Sequence, residues 1–171
     1  MQYDSTLGKN VFKFSGAGYY KSPPIYSGTR LDLTNKSFEV VLQFKATTTS
    51  QIQDIWETGN WSSRRIYGIN NSINQYPSTY FQWFMDNGNY NRVLMNGVNP
   101  LAWDTVTITY IKNSGITVKS QYYNSTQTFP AYGFGMGTNL SIGGSYVSAE
   151  VGGAPFYFTG SLAKLKITEI K

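Results

Sequence analysis

Ser37–Ala46 reads SFEVVLQFKA, and apolar and polar residues alternate along it. The apolar positions are Phe38, Val40, Leu42 and Phe44, and three of the intervening positions carry Glu39, Gln43 and Lys45. Successive side chains of an extended chain point to opposite sides, so this pattern produces one apolar face and one polar face. The stretch therefore predicts a strand of an antiparallel sheet, with one face in a core and the other in solvent.

Similar patterns recur along the chain. Further candidate strands lie at 10–15, 51–58, 65–69, 80–86, 90–95, 105–112, 115–123, 139–143 and 160–168. Hairpin turn signals separate several of them, at Asn87-Gly88, Asn96-Gly97 and Asn113-Ser-Gly115. No segment has a sustained apolar stripe at helical spacing. Many short strands predict an all-β fold, an antiparallel sandwich or barrel, and we expect one domain over 1–171.

Composition excludes several classes of chemistry. The chain of 171 residues has no cysteine and no histidine. Without cysteine there is no disulfide, no thiol nucleophile and no thiolate zinc site. Without histidine there is no Ser-His-Asp triad, no HExxH metal site and no imidazole base. We expect no cofactor.

Charge and aromatic content indicate which partners to expect. The net charge is +5, but Arg64-Arg65 is the one basic doublet and no basic stripe could follow a phosphate backbone, so we expect no nucleic acid. No apolar run approaches the roughly 20 residues of a membrane span, so we expect no membrane insertion. Aromatic residues make up 16% of the chain, with 14 tyrosines. Tyrosine suits ligands that are both apolar and hydrogen-bonding, although strands also favour it.

Ser78–Val93 (STYFQWFMDNGNYNRV) predicts a strand, a tight turn and a second strand. Alternation puts Phe81, Trp83 and Met85 on one face of the first strand, and Tyr80, Gln82, Phe84 and Asp86 on the other. The second set contains an amide and a carboxylate, so we expect it to face outward. The strand would then supply the core on one side and a ligand platform on the other.

Three groups of motifs follow one another along the chain. The first comprises Val11-Phe-Lys-Phe-Ser-Gly16, Tyr19-Tyr20 and Ser37-Phe-Glu-Val-Val41. The second comprises Trp103-Asp-Thr-Val-Thr-Ile-Thr-Tyr110 and the stretch from Val118 to Tyr123-Asn124. The third comprises Leu140-x-Ile-Gly143, Phe158-Thr-Gly160 and Leu165-Lys-Ile167. In this order, over nearly the whole chain, they resemble laminin-G-like, concanavalin-A-like domains. The resemblance implies an antiparallel two-sheet jelly-roll sandwich.

The sequence also departs from that family's pattern. Ser125 stands where the family usually has a glycine after Tyr-x-Asn. No well-separated pair of acidic loop residues, of the type that holds calcium in some relatives, is visible, so we expect no bound metal. The cysteine-free, Asn- and Tyr-rich composition is similar to that of carbohydrate-binding modules in bacteriophage tail and baseplate proteins, including distal tail proteins. That likeness implies a domain excised from or inserted in a larger, oligomeric tail protein, located in the virion or at a cell surface, that attaches the phage to its host.

The sequence leaves three functions open: a carbohydrate-binding module, a protein-interaction or structural domain, and a glycosidase. A retaining glycosidase needs two carboxylates about 5–5.5 Å apart. Asp54 and Glu57 are the nearest candidates, but a spacing of three puts them on opposite faces of a regular strand. We therefore predict no catalytic residues. The small amides around the aromatic residues favour carbohydrate over a protein partner, and we expect a polysaccharide or oligosaccharide of a bacterial cell surface.

The candidate ligand-binding residues combine rings that could stack on sugars with polar groups that could bond hydroxyls. They are Trp56, Trp61, Arg64, Tyr67, Tyr80, Gln82, Asp86, Gln121 and Tyr123. We expect Trp56 to share a strand face with Asp54, and Trp61 to be exposed in a loop at Gly59–Arg64. Core packing is the alternative for each aromatic residue, and it is the preferred assignment for Trp83 and Trp103.

Overall fold

The computed structural model describes residues 1–23, 33, 36–62, 65–74, 80–86, 91–95, 99–120, 124–127, 139–144 and 156–171. At 59–62, 65–72, 74, 80–86, 91–95 and 124–127 the description covers the backbone and its strand pairing alone. Every regular element in the described part of the chain is a β-strand. Within the same residues there is no helix of the length and apolar character needed to cross a membrane.

The described residues form thirteen strands. They are β1 (Gln2–Asp4), β2 (Lys9–Ser15), β3 (Tyr20–Lys21), β4 (Ser37–Ala46), β5 (Gln53–Ser62), β6 (Arg65–Asn74), β7 (Tyr80–Asp86), β8 (Asn91–Met95), β9 (Asp104–Ile111), β10 (Gly115–Lys119), β11 (Asn124–Gln127), β12 (Asn139–Ile142) and β13 (Thr159–Ile170).

Two antiparallel sheets make up the fold. The seven-stranded sheet has the order β1-β2-β13-β4-β9-β10-β11, and the six-stranded sheet has the order β3-β12-β5-β6-β7-β8. Among the described strands, five of the eleven neighbouring pairs join strands that are not consecutive in sequence, as jelly-roll connections require. The predicted all-β, two-sheet jelly roll is confirmed.

The core lies between the two sheets and follows the predicted alternation. In β4 the four predicted apolar positions, Phe38, Val40, Leu42 and Phe44, are each 0% exposed. Strands β9 and β10 repeat the pattern, and Val106, Ile108, Tyr110, Ile116 and Val118 are buried. The six-stranded sheet contributes buried side chains to the same core, among them Ile55, Trp56 and Ile73.

The β9–β10 hairpin turns where the sequence predicts. Ile111 pairs with Gly115, and Asn113 has a φ of 61°, in the left-handed region that asparagine tolerates better than most residues. The turn signals at Asn87-Gly88 and Asn96-Gly97 lie outside the described residues.

Several boundaries differ from the prediction. Gly59–Ser62 belongs to β5 and not to a loop, because β5 and β6 form one long hairpin in which Ser62 still pairs with Arg65. The predicted strand at 115–123 is shorter, since β10 ends at Lys119. The short strands β1, β3 and β11 were not predicted.

Candidate ligand-binding face

An irregularity in β5 changes the predicted faces of that strand. In the pairing with β6, Asp54 lies opposite Ser72 and Trp56 lies opposite Asn71, so Ile55 is an extra residue, a β-bulge. Ile55 and Trp56 both belong to the core, and both are 0% exposed. The prediction that Trp56 binds ligand is therefore wrong, because the core encloses its side chain.

The same bulge brings two carboxylates to one side of β5. We use "outer face" for the side of the six-stranded sheet that points away from the core. Asp54 precedes the inward-pointing Ile55, and Glu57 follows the inward-pointing Trp56, so both acidic residues alternate onto the outer face. The prediction of opposite faces, and of a face shared by Asp54 and Trp56, is wrong. Asp54 is 4% exposed and Glu57 is 3% exposed, so the packing around β5 covers both side chains.

Three predicted site residues lie in β7. Gln82 is opposite Ser72, which is in turn opposite Asp54, so one row across the sheet contains all three positions. Alternation from Gln82 places the backbone positions of Tyr80 and Asp86 on the same side. The side chains of β7 lie outside the described residues, so ligand contact by these three stays a prediction.

The remaining predicted site residues lie on the β5–β6 hairpin or outside the residues that the structure describes. Trp61 lies opposite Ile66, whereas Tyr67 lies opposite Asn60. Positions 66 and 67 are adjacent on β6, so the register puts Trp61 and Tyr67 on opposite sides of the sheet. Nothing is described of either side chain. Arg64, Gln121 and Tyr123 lie outside the described residues altogether.

Two stacked tyrosines lie at the end of the six-stranded sheet. The ring centroids of Tyr19 and Tyr157 are 6.4 Å apart, and their planes make an angle of 26°. Both residues are half-buried. Gly144 packs against them, because a Cβ at that position would lie 3.0 Å from Tyr157 and 3.3 Å from Tyr19. The pair forms an aromatic surface that is supported by backbone and partly open to solvent.

Backbone hydrogen bonds fix this tyrosine pair beside β5. The Asp54 N–H donates to the Phe156 carbonyl at 2.8 Å, and the Phe158 N–H donates to the Gly143 carbonyl at 2.9 Å. Phe158 is completely buried, so the segment before β13 is anchored in the core. Tyr157 is therefore held between two anchored residues.

Tyr19 directly precedes β3 and lies on the outer side of the sheet. Tyr20 pairs with Ile142, and its ring contacts that of Phe14 at 5.9 Å, on the core side of the sheet. Tyr19 precedes Tyr20 and therefore alternates to the outer side. Lys21 lies on that side too, opposite Ser141, which is opposite Glu57.

Neither Tyr19 nor Tyr157 is among the residues predicted from the sequence. Their local signals are the aromatic clusters Tyr19-Tyr20 and Phe156-Tyr157-Phe158. The two clusters meet because β3 pairs with β12 and the segment after β12 returns to β5. No local pattern in the sequence predicts that Tyr19 and Tyr157 come into contact.

A metal site is not visible in the part of the chain that is described. No three residues among its aspartates and glutamates come together closely enough to hold a metal ion. The expected absence of calcium stays a prediction.

Comparisons with known proteins find similar structures but no match by sequence. No protein-family model matches the chain, and no curated protein matches it by sequence. Several solved structures share the fold. The carbohydrate-binding module (CBM40) of the Ruminococcus gnavus IT-sialidase, bound to α2,3-sialyllactose, is 17% identical, with a TM-score of 0.64, and the match covers 87% of this chain and 91% of that one.

Two longer proteins contain similar regions. The leech intramolecular trans-sialidase is 14% identical, with a TM-score of 0.68, over 95% of this chain and 26% of that one. Domains LG4-5 of the mouse laminin α1 chain are 15% identical, with a TM-score of 0.65, over 94% of this chain and 43% of that one. At these identities the likeness shows the jelly-roll fold.

Proposed function

We propose that this domain binds carbohydrate without cleaving it, and that the ligand contacts the Tyr19–Tyr157 surface and the adjoining outer face. The stacked tyrosine pair is the observation that carries the proposal. Sugar rings offer CH faces that pack on aromatic rings, and two half-buried tyrosines held by anchored backbone present such rings at little entropic cost. The fold shared with a module that was solved with sialyllactose bound also supports the proposal of carbohydrate binding.

Further contacts are proposed along the sheet. Gln82 occupies the row that begins at Asp54, and Tyr80 and Asp86 share its side of β7 by alternation. Trp61 belongs to the same side of the β5–β6 hairpin by register. Amide, carboxylate and phenol groups bond sugar hydroxyls, and an indole stacks on the sugar ring. We retain Arg64, Gln121 and Tyr123 as proposed contacts from the sequence, and leave out Trp56 and Tyr67.

The ligand class we propose is a polysaccharide or oligosaccharide of a bacterial cell surface. The Asn- and Tyr-rich, cysteine-free composition supports this, through its similarity to modules of bacteriophage tail proteins. On this proposal the parent protein is an oligomeric tail or surface protein, and the domain attaches it to the host.

A glycan array tests the proposal. The array should carry cell-wall polysaccharides from several Gram-positive bacteria, together with sialyllactose. We expect saturable binding to at least one bacterial polysaccharide. Absence of binding to every glycan, by a correctly folded domain, would refute the proposal and favour a protein-interaction domain.

Tyrosine variants then locate the site. Tyr157→Ala should weaken binding about tenfold, since an aromatic anchor contributes roughly 1–2 kcal/mol. Tyr157→Phe should retain binding, because the ring face makes the contact. Tyr3→Ala is the matched control, since Tyr3 is 64% exposed and lies on β1 of the other sheet. If Tyr157→Ala binds normally while Tyr80→Ala does not, the ligand lies along β7 and away from the tyrosine pair.

A further inference from the structure

A polar depression lies on the seven-stranded sheet, on the side that points away from the core. Its volume is about 360 Å³, within the usual range of roughly 300–1,000 Å³ for small-molecule sites. The residues that line it are Asp4, Lys13, Lys45, Ala46, Thr47, Leu101 and Ser161. The proposed carbohydrate surface lies on the six-stranded sheet, so the depression is a separate place on the molecule.

Strand register places a serine between two lysines in this depression. Ser161 in β13 is opposite Lys13 in β2 on one side and Lys45 in β4 on the other. The residues that follow the two lysines, Phe14 and Ala46, belong to the core, so alternation turns the lysines and the serine away from it. Strands lie about 4.8 Å apart, so the two lysine Cα atoms are roughly 10 Å apart and both side chains can extend over the serine. The three residues are far apart in sequence, and no basic motif indicates that they meet.

Ser161 is the residue that indicates a ligand. It is 3% exposed and lines the depression, yet its hydroxyl forms no hydrogen bond with the residues that the structure describes. A buried hydroxyl without a partner is destabilising, and an acceptor atom of a ligand would supply that partner. Lys13 and Lys45 likewise form no ion pair or hydrogen bond within the described part of the chain. Three donor groups therefore meet at one place, and the described chain bonds none of them.

Hydrogen bonds hold the walls of the depression in place. On one side the Ala46 N–H donates to the Pro100 carbonyl at 2.7 Å, which fixes the adjoining Leu101. On the other side the Asp4 carboxylate accepts from two N–H groups of the turn that follows it, at 3.0 and 3.1 Å. These two bonds partly offset the charge of the carboxylate. With two lysines and one aspartate in its lining, the depression has a net positive charge.

We propose that Lys13, Lys45 and Ser161 bind the phosphate group of a phosphate monoester. At neutral pH such a group carries a charge of roughly −1.5 to −2 and has three terminal oxygens. Its charge matches two ammonium groups, and each oxygen can accept from one of the three donors. A carboxylate has fewer oxygens and a sulfate ester has less charge, so both match the site less well. A neutral sugar would leave the lysines without a counter-charge.

The test is an NMR titration of the isotopically labelled, intact domain with methyl phosphate, methyl sulfate and acetate. We expect saturable shifts of the Ser161 amide and its neighbours with methyl phosphate. Methyl sulfate and acetate should each bind at least about threefold more weakly, because they offer less charge or fewer acceptors. Equal affinity for the three anions, or no saturable shift around Ser161 with methyl phosphate, would overturn the proposal.

Variants of the three donors assign the binding to this place. Ser161→Ala should weaken methyl phosphate binding about two- to tenfold, and Lys13→Gln and Lys45→Gln should each weaken it about three- to tenfold. Lys119→Gln is the matched control. It removes the same charge from the same side of the sheet, outside the lining, and should change the affinity less than about twofold. An equal loss in Lys119→Gln and Lys13→Gln would overturn the proposal, since binding would then follow net charge alone.

An aspartate variant should change the affinity in the opposite direction. Asp4→Asn keeps an acceptor oxygen for the N–H groups of its turn and removes a negative charge from the lining. We expect methyl phosphate to bind about two- to fivefold more tightly. Weaker binding by Asp4→Asn would overturn the assignment of the anion to this depression. Melting temperatures identify any variant that fails to fold, and the comparison of the three anions on the unaltered domain does not depend on the variants.

Discussion

Ile55 and Trp56 are consecutive residues of one strand, yet both side chains are completely buried in the same core. A regular strand would send one of them outward. The bulge at Ile55 turns both inward, and it also places Asp54 and Glu57 together on the outer face. One extra residue thus determines both what the core contains and which charges the opposite face carries.

Trp56→Ala should therefore act on stability. Removing a buried indole should cost about 3–5 kcal/mol of the free energy of unfolding, measured by denaturant titration. Tyr3→Ala should change it by less than about 1 kcal/mol, as expected for an exposed residue. A Trp56→Ala domain with normal stability that has lost glycan binding would contradict the burial assigned to this residue.

Thr58→Val should stabilise the protein. The Thr58 side chain is 1% exposed, and its hydroxyl has no hydrogen-bond partner among the described residues. An unsatisfied buried hydroxyl costs about 1–3 kcal/mol, so an isosteric apolar replacement should raise the free energy of unfolding by about 1 kcal/mol. Thr58→Ser is the control, because it keeps the hydroxyl, loses a methyl group and should destabilise. A loss of stability in Thr58→Val would show that the hydroxyl is bonded.

Gly160→Ala should be among the more damaging small substitutions. A Cβ at Gly160 would lie 2.6 Å from the Phe158 ring and 2.8 Å from the Ala46 Cα, so the two paired strands would have to separate. We expect a loss of about 1–3 kcal/mol, the usual cost of overpacking. Gly18→Ala is the matched control, since nothing lies within 4 Å of a Cβ there. Equal melting temperatures for the two variants would refute this account.

Tyr110 should make stability fall at alkaline pH. Burial raises the pKa of its phenol above the ordinary value of 10.0, because a buried site disfavours the phenolate. The unfolded chain therefore releases the proton at lower pH than the folded chain does. This contribution is complete below about pH 10 and decreases as pH rises through the folded-state pKa. The stability difference between the unaltered domain and Tyr110→Phe should shrink above about pH 10, and a constant difference would contradict the prediction.

No hydrolysis is expected, although Asp54 and Glu57 share a face. Asp54 is 4% exposed and Glu57 is 3% exposed, so we expect that a glycosidic bond does not reach their carboxylates. Long incubation with bacterial polysaccharides should release no reducing ends above the level of a heat-denatured control. Release that disappears in both Asp54→Asn and Glu57→Gln would show a hydrolase built on this pair.

The sequence predicted the regular strands well because their periodicity is local. In β4 each inward residue is apolar in the sequence and buried in the fold. Strand β5 differs, because a bulge depends on the partner strand, and β6 supplies one residue fewer at that point. The spacing of Asp54 and Glu57 in the sequence carries no information about β6, so it could not predict the bulge.

The contact between Tyr19 and Tyr157 could not be predicted from the sequence, because it too depends on residues that are distant in the chain. Tyr19 and Tyr157 are separated by most of the chain, and they meet through the two-residue strand β3. A strand of two residues has no period to detect. Sequence patterns therefore indicated a binding fold rich in aromatic residues, whereas the position of these two rings required the assembled sheets.

The position of β13 in the seven-stranded sheet affects how the chain folds during synthesis. This strand, the last of the described strands, lies between β2 and β4, and it pairs with β4 over 160–170 and with β2 over 159–162. During synthesis, the edges of β2 and β4 that pair with β13 stay unpaired until β13 is made, because β13 follows the other described strands in sequence. Contacts that join such distant segments form slowly, and unpaired strand edges promote association between nascent chains. Expression yield should therefore depend on temperature and on chaperones more than the stability of the finished domain would suggest.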